Sequence, residues 1–248
     1  MNKLSEANFK AIKDEIKEGR LTMSGMRAYL IGLFFISGLF VGVSLAVANA
    51  NTVGWDTLST AWHRIYYAEA VLFGFHLLVM LFFWWNNAFT QKMLSIAVVL
   101  FTYKAAMDPF ITVLMFSKDR GMYELYLPFI LIILVGGLII HIIVLVKWFN
   151  SLRSTVKTNE KSSKKRKKNY ILFPILFIII AITSMAIKNG LLGNFEIVFM
   201  AFIITIVYLG LLIAACEFII AMYCIFKFPS FSVKNLMVNS IIGRARVN

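Results

Sequence analysis

Long apolar segments, separated by short polar ones, follow one another along most of the chain. Six of them approach or exceed membrane length: residues 28–50, 66–85, 93–116, 126–149, 170–187 and 195–226. A helix needs about 20 predominantly apolar residues to cross the hydrocarbon core of a bilayer. The pattern therefore predicts an all-α fold, a polytopic transmembrane helical bundle with six spans.

The sixth segment contains 32 residues, more than a single crossing requires. A helix of that length has to tilt, protrude from the membrane or break, and Gly210 is the candidate position for a break. The first membrane segment contains Gly38 and Gly42, four residues apart, which favours close contact with another helix.

The polar parts divide the chain into five regions. Residues 1–27 form a mixed-charge segment in which Phe9, Ile12 and Ile16 share one helical face, typical of a short amphipathic helix at the membrane interface or of a solvated tail. Residues 28–149 form a four-span part and 170–226 a two-span part. Residues 150–169 form a basic loop between them, and 227–248 form a basic tail.

Basic residues are distributed unequally between the two sides of the predicted bundle. Of the 25 Lys and Arg, 20 fall on the side of the N-terminus, four on the opposite side, and Lys104 lies within a span. Loops rich in Lys and Arg remain on the cytoplasmic side of a membrane. We therefore expect a multi-pass protein of a bacterial cytoplasmic membrane with both termini in the cytoplasm. Because the basic residues flank apolar segments, the net charge of +13 does not indicate a nucleic-acid partner.

The region 150–169 contains a dense run of positive charge, formed by Lys161, Lys164, Lys165, Arg166, Lys167 and Lys168. Three interpretations fit this run. It sets topology, it binds anionic lipids of the bilayer, or it contacts an acidic partner protein.

The third apolar segment contains charged residues in its central part, where charged residues are rare in membrane helices. Lys104 lies at its centre, and Asp108 and Pro109 follow about one helical turn later. An intramembrane charge is costly and needs a partner or a function. The second segment carries Glu69 and His76 on one face, and a short connection predicts that the two segments are antiparallel neighbours. The sequence thus predicts a polar cluster of Glu69, His76, Lys104 and Asp108.

Two interpretations of this cluster remain open. The charges either satisfy one another and fix how the helices pack, or they line a path for protons or ions. Pro109 is expected to kink its helix and free a backbone carbonyl, a feature found in transporter interiors. His141 and Glu217 lie at similar estimated depth and are expected to form a second polar layer.

No motif for catalysis, nucleotide binding or metal binding is found. Cys216 and Cys224 are eight residues apart on one segment, too far for a disulfide within a helix, and the depths of the two span histidines do not match a haem site. We expect no enzyme, cofactor or metal. The favoured function is a non-catalytic accessory or assembly subunit of an export or envelope complex, or a toxin-immunity protein, with a membrane-protein partner or a second copy. The alternative is a small proton- or ion-coupled transporter or channel.

Overall fold

The computed structural model describes residues 6–50, 53–154 and 195–233, and this part of the chain is helical without strands. Its helices are α1 (Lys10–Glu18), α2 (Met23–Ala48), α3 (Thr60–Phe82), α4 (Ala88–Asp119), α5 (Tyr123–Ser154) and α6 (Phe195–Lys227). Helices α2 to α6 are long and apolar enough to cross a membrane. The predicted class, an all-α membrane protein, is confirmed. The predicted span 170–187, the basic run Lys161–Lys168 and the tail beyond residue 233 lie outside the described residues.

Polar side chains at the turns explain where two of the helices begin. The Thr22 hydroxyl accepts the Gly25 amide proton at the start of α2, and Asn87 Oδ1 accepts the Thr90 amide proton at the start of α4. Each supplies a partner for a backbone N–H that has no acceptor within the helix. Between α4 and α5 the chain turns at Gly121, whose positive φ of 68° suits glycine.

Helix α4 lies at the centre of the described bundle, between α2 and α6. Two thirds of its most apolar stretch is buried, against 22% of the corresponding stretch in α3 and in α5. Helix α5 packs mainly on α6, and α3 mainly on α2. The helix that carries Lys104 is therefore the one most shielded from lipid.

Helices α3 and α4 contact each other over a shorter length than the two helices of a closely packed hairpin do. The two helices meet at Glu69 and Lys104 but diverge toward their short connection, which leaves an apolar groove between residues 75–85 and 87–100. The prediction that the second and third spans are close neighbours is therefore met over only part of their length. The reason is that α2 occupies much of the surface of α4 that α3 was expected to cover.

The two helices for which a kink or a break was predicted, α4 at Pro109 and α6 at Gly210, are both continuous. Helix α4 continues on both sides of Pro109, and α6 runs through Gly210 over 33 residues. At 1.5 Å per residue α6 is about 50 Å long, compared with about 30 Å for the hydrocarbon core. Because the helix does not break, a crossing of the membrane requires it to tilt or to protrude.

The N-terminal amphipathic segment packs against the end of the bundle where α2 begins and α6 ends. Phe9 is fully buried, with its ring 5.8 Å from that of Tyr223 and 5.6 Å from that of Phe228. Glu6 accepts hydrogen bonds from Lys13 and Ser230, which lower the pKa of its carboxyl below the usual range. The sequence indicated either an amphipathic helix at the membrane interface or a solvated tail. Neither interpretation includes close packing of this segment on the bundle.

Candidate functional site

Lys104 is the centre of an ionic cluster formed with Ser37, Glu69 and Asp108. Its ammonium nitrogen lies 2.5 Å from Glu69 Oε2, 2.7 Å from Asp108 Oδ2 and 2.8 Å from Ser37 Oγ. The Ser37 hydroxyl in turn donates to Asp108 Oδ2. An ammonium group has three N–H donors, so each donor has an oxygen nearby.

The cluster joins three helices and is shielded from its surroundings. Ser37 belongs to α2, Glu69 to α3, and Lys104 and Asp108 to α4. The exposed fraction of the side chain is 9% for Lys104, 11% for Glu69 and 2% for Asp108. The ring of Phe73 lies 4.2 Å from the ammonium nitrogen and adds a cation–π contact.

His76 lies on the same face of α3 but outside the ionic cluster. Its Nε2 is 3.1 Å from the carbonyl oxygen of Leu30, and its ring stacks on Phe101 at 3.8 Å. Because a carbonyl oxygen only accepts, Nε2 carries the proton. Of the four residues predicted to form one cluster, the structure joins Glu69, Lys104 and Asp108 directly and gives His76 separate partners.

A second polar group joins α4, α5 and α6 around His141. Its Nδ1 lies 2.9 Å from the carbonyl oxygen of Leu212, and its Nε2 lies 2.6 Å from the hydroxyl of Tyr103. The carbonyl fixes the proton on Nδ1, so Nε2 accepts from Tyr103. Cys216 Sγ is 3.3 Å from the protonated Nδ1. His141 therefore has no free lone pair with which to take a proton from the thiol.

The predicted pairing of His141 with Glu217 is wrong. Glu217 accepts hydrogen bonds from Arg20, at 2.7 Å from Nη2 and 3.1 Å from Nε, in the turn between α1 and α2. Depth counted along each helix does not reveal which neighbour a side chain meets. The N-terminal segment packs on the end of α6 and supplies Arg20 as the partner of Glu217.

The two glycines predicted to support helix contact have different surroundings. A Cβ built on Gly38 would lie 3.7 Å from the Phe73 ring of α3, whereas one on Gly42 would meet nothing within 4 Å. A close approach by another helix occurs at Gly137, where a Cβ would overlap the ring of Tyr208. Pro109 is buried in α4, next to Asp108.

Sequence reasoning missed the contributions of Ser37 and Tyr103. Ser37 and Ser44 are seven residues apart on the buried stripe of α2, which also contains Leu30, Leu33 and Val41. This spacing was the available signal, because polar side chains on an inward face have to find partners. Tyr103 precedes Lys104 and is turned about 100° from it around α4, where its hydroxyl contacts His141 of α5.

No family model, curated protein or solved structure matches this chain. Within residues 6–50, 53–154 and 195–233, no group of three or more His, Cys, Asp or Glu side chains is arranged to hold a metal ion. The site is therefore interpreted from its own geometry.

Proposed function

We propose that the chain is a non-catalytic membrane protein that works through association with another membrane protein. The roles that fit are an accessory or assembly subunit of an export or envelope complex and an immunity protein against a membrane-active toxin. The observation that carries this proposal is the closure of the ionic cluster. Lys104 has three oxygen partners within the chain, and its side chain is 9% exposed. Charges arranged in this way hold helices together rather than face a substrate.

The surroundings of the buried nucleophile also favour a non-catalytic role. Cysteine catalysis requires a base that takes the thiol proton. Both nitrogens of His141 are already engaged, with Leu212 and with Tyr103. Cys216 is fully buried. The pair is therefore suited to packing α5 against α6.

Co-purification tests the proposal. The tagged chain is extracted from its native membrane in a mild detergent, and the mass of the complex is measured by native mass spectrometry. We expect a defined complex with another membrane protein or with a second copy. A monomer alone, together with unchanged envelope integrity and toxin sensitivity after deletion of the gene, would contradict the proposal.

Proton- or ion-coupled transport is the second candidate, and one observation favours it. Two carboxylates, of Glu69 and Asp108, share the single ammonium of Lys104. With all three ionised the cluster carries one excess negative charge, which a proton would neutralise.

Flux measurements separate the second candidate from the first. Transport predicts a proton or cation flux in liposomes that Asp108→Asn abolishes. The matched control is Glu196→Gln, which removes an exposed carboxylate paired with Arg120. If liposomes that contain the wild-type chain show no more proton or cation flux than empty liposomes under the same ion gradient, transport is excluded.

A further inference from the structure

An apolar groove lies between the diverging halves of α3 and α4. Its volume is about 620 Å³, within the range of small-molecule sites in proteins. Its walls come from Phe75, Leu78 and Phe82 of α3 and from Met93, Ile96 and Leu100 of α4. Asn87 and Thr90 lie at the end nearest the α3–α4 connection and are its only polar lining residues. The groove is therefore apolar along its length and polar at one end.

The length of the groove corresponds to one leaflet of a bilayer. Residues 87–100 rise about 20 Å along α4, whereas half of the hydrocarbon core is about 15 Å thick. Beyond Leu100, the Glu69–Lys104 ion pair draws α3 and α4 together. This contact closes the groove near the middle of the membrane. A helix of another protein that crosses the whole bilayer does not fit along it, whereas a lipid chain that enters from one leaflet does.

A positive charge without an acidic partner lies at the open end. The guanidinium of Arg27 donates to the carbonyl oxygens of Phe83 and Trp85, at 3.0 and 3.1 Å, and to Asn86 Oδ1 at 2.9 Å. All three acceptors are neutral, and no carboxylate of the described residues pairs with this group. Trp85 also lines the groove, so the charge is adjacent to it.

The start of α4 adds to the positive potential at this end. Helix α4 begins at Ala88, and its N-terminus carries partial positive charge from the aligned peptide dipoles. Asn87 Oδ1 already accepts the Thr90 N–H, so the terminus contributes to phosphate binding mainly through its dipole. Arg27 and the α4 N-terminus therefore favour an anion beside an acyl-sized apolar groove.

We propose that the α3–α4 groove binds one anionic phospholipid. An acyl chain lies between Phe82 and Ile96, and the headgroup phosphate contacts Arg27 and the N-terminus of α4. The site differs from nonspecific lipid contact because it combines an apolar groove of one-leaflet length with a cation that has no acidic partner among the described residues. The proposal is independent of the function proposed above.

Native mass spectrometry with defined lipids tests this proposal. The delipidated protein is titrated with phosphatidylglycerol or with zwitterionic phosphatidylcholine of the same acyl composition. We expect one phosphatidylglycerol to bind with higher affinity than phosphatidylcholine. Arg27→Gln should reduce phosphatidylglycerol affinity about fivefold, the factor for one basic residue near a membrane surface, and remove the preference. The control Lys118→Gln, at the other end of α4, should leave both affinities unchanged.

A groove-filling variant tests the acyl site separately, in case Arg27→Gln perturbs the end of α3. Ile96→Trp retains Arg27 and should weaken the binding of both lipids. Equal affinity of the wild-type chain for the two lipids would overturn the proposal, as would lipid binding unaffected by Ile96→Trp. A dimer that Ile96→Trp dissociates without displacing lipid would assign the groove to a second copy instead.

Discussion

Lys104 shows how one residue can make an intramembrane charge tolerable. An isolated ammonium in the membrane interior costs several kcal/mol, and the cost falls when the charge has bonded partners. Here Glu69, Asp108 and Ser37 come from three different helices and surround one nitrogen. The cluster can form only when α2, α3 and α4 adopt this arrangement. It therefore selects one packing of the helices.

Removal of the lysine should be the most damaging single substitution in the cluster. Lys104→Met leaves two buried carboxylates without their cation, and breaking a buried pair in this way costs about 3–5 kcal/mol. Unfolding by dodecyl sulfate in mixed micelles measures the loss. The control Lys118→Met removes a lysine of α4 outside the cluster, whose ammonium lies 5.8 Å from the centre of the Tyr123 ring, and it should cost far less.

A compensated variant distinguishes charge imbalance from loss of the lysine side chain. Glu69→Gln combined with Lys104→Met and Asp108→Asn removes all three charges together. This variant should recover much of the lost stability, because no unpaired charge remains. Equal stability of Lys104→Met and Lys118→Met would contradict the role assigned to the cluster.

The sequence predicted the charged members of the cluster better than its polar ones. Lys104 and Asp108 are four residues apart, and a helix places such residues side by side. Glu69 followed from its depth on the adjacent span. Ser37 was harder to select, because serine is common in membrane helices and its partner comes from another helix; its spacing from Ser44 on the buried stripe of α2 was the one signal. Glu217 was assigned wrongly because one sequence does not reveal that the turn containing Arg20 packs beside it.

At the scale of the helices, α5 and α6 approach each other closely at one glycine. At Gly137 the ring of Tyr208 occupies the space of the missing side chain, and the Tyr208 hydroxyl donates to the Leu134 carbonyl at 2.8 Å. Sequence analysis predicted a small-residue contact at Gly38 and Gly42 instead. Glycine alone does not reveal which positions are approached by a neighbour, because that depends on the partner side chain.

Substitution of the two adjacent glycines in α5 should have unequal effects. Gly137→Ala places a methyl group against the Tyr208 ring and should destabilise the bundle by about 1–3 kcal/mol, as overpacking does in other cores. Gly136→Ala meets nothing within 4 Å and should be neutral or slightly stabilising. Unfolding in mixed micelles measures both. A neutral Gly137→Ala would show that α5 and α6 are not held at this distance.

The helical class and five of the six predicted spans could be identified from hydrophobic length alone, but the neighbours of these helices could not. Apolar faces in a membrane look alike whether they contact lipid or protein, since lipid tails are as apolar as leucine. The central position of α4 has a sequence correlate, because its polar residues need partners inside the bundle. The packing of α3 on α2 has no such sequence correlate. The groove that results from this packing has none either.

At the scale of the whole molecule, the charge distribution predicts orientation. The excess of Lys and Arg on the side of the N-terminus predicts that α1 lies in the cytoplasm and the α2–α3 loop outside. In intact cells a membrane-impermeant maleimide should label Ser59→Cys, and it should label Ala11→Cys only after permeabilisation. The native cysteines, Cys216 and Cys224, are fully buried and provide a low background. The reverse labelling pattern would show that the chain has the opposite orientation and would contradict this prediction.

The most direct test of the central claim is whether water reaches the ionic cluster. Water-soluble thiosulfonates react with ionised thiols and therefore report hydration of a cysteine. Ser37→Cys replaces a hydroxyl that contacts both Lys104 and Asp108. In a folded, membrane-embedded protein, a closed cluster predicts that Ser37→Cys reacts no faster than the wild-type chain, while Ser59→Cys reacts readily. Labelling of Ser37→Cys at the rate of Ser59→Cys would contradict a closed, structural cluster and favour a hydrated ion path.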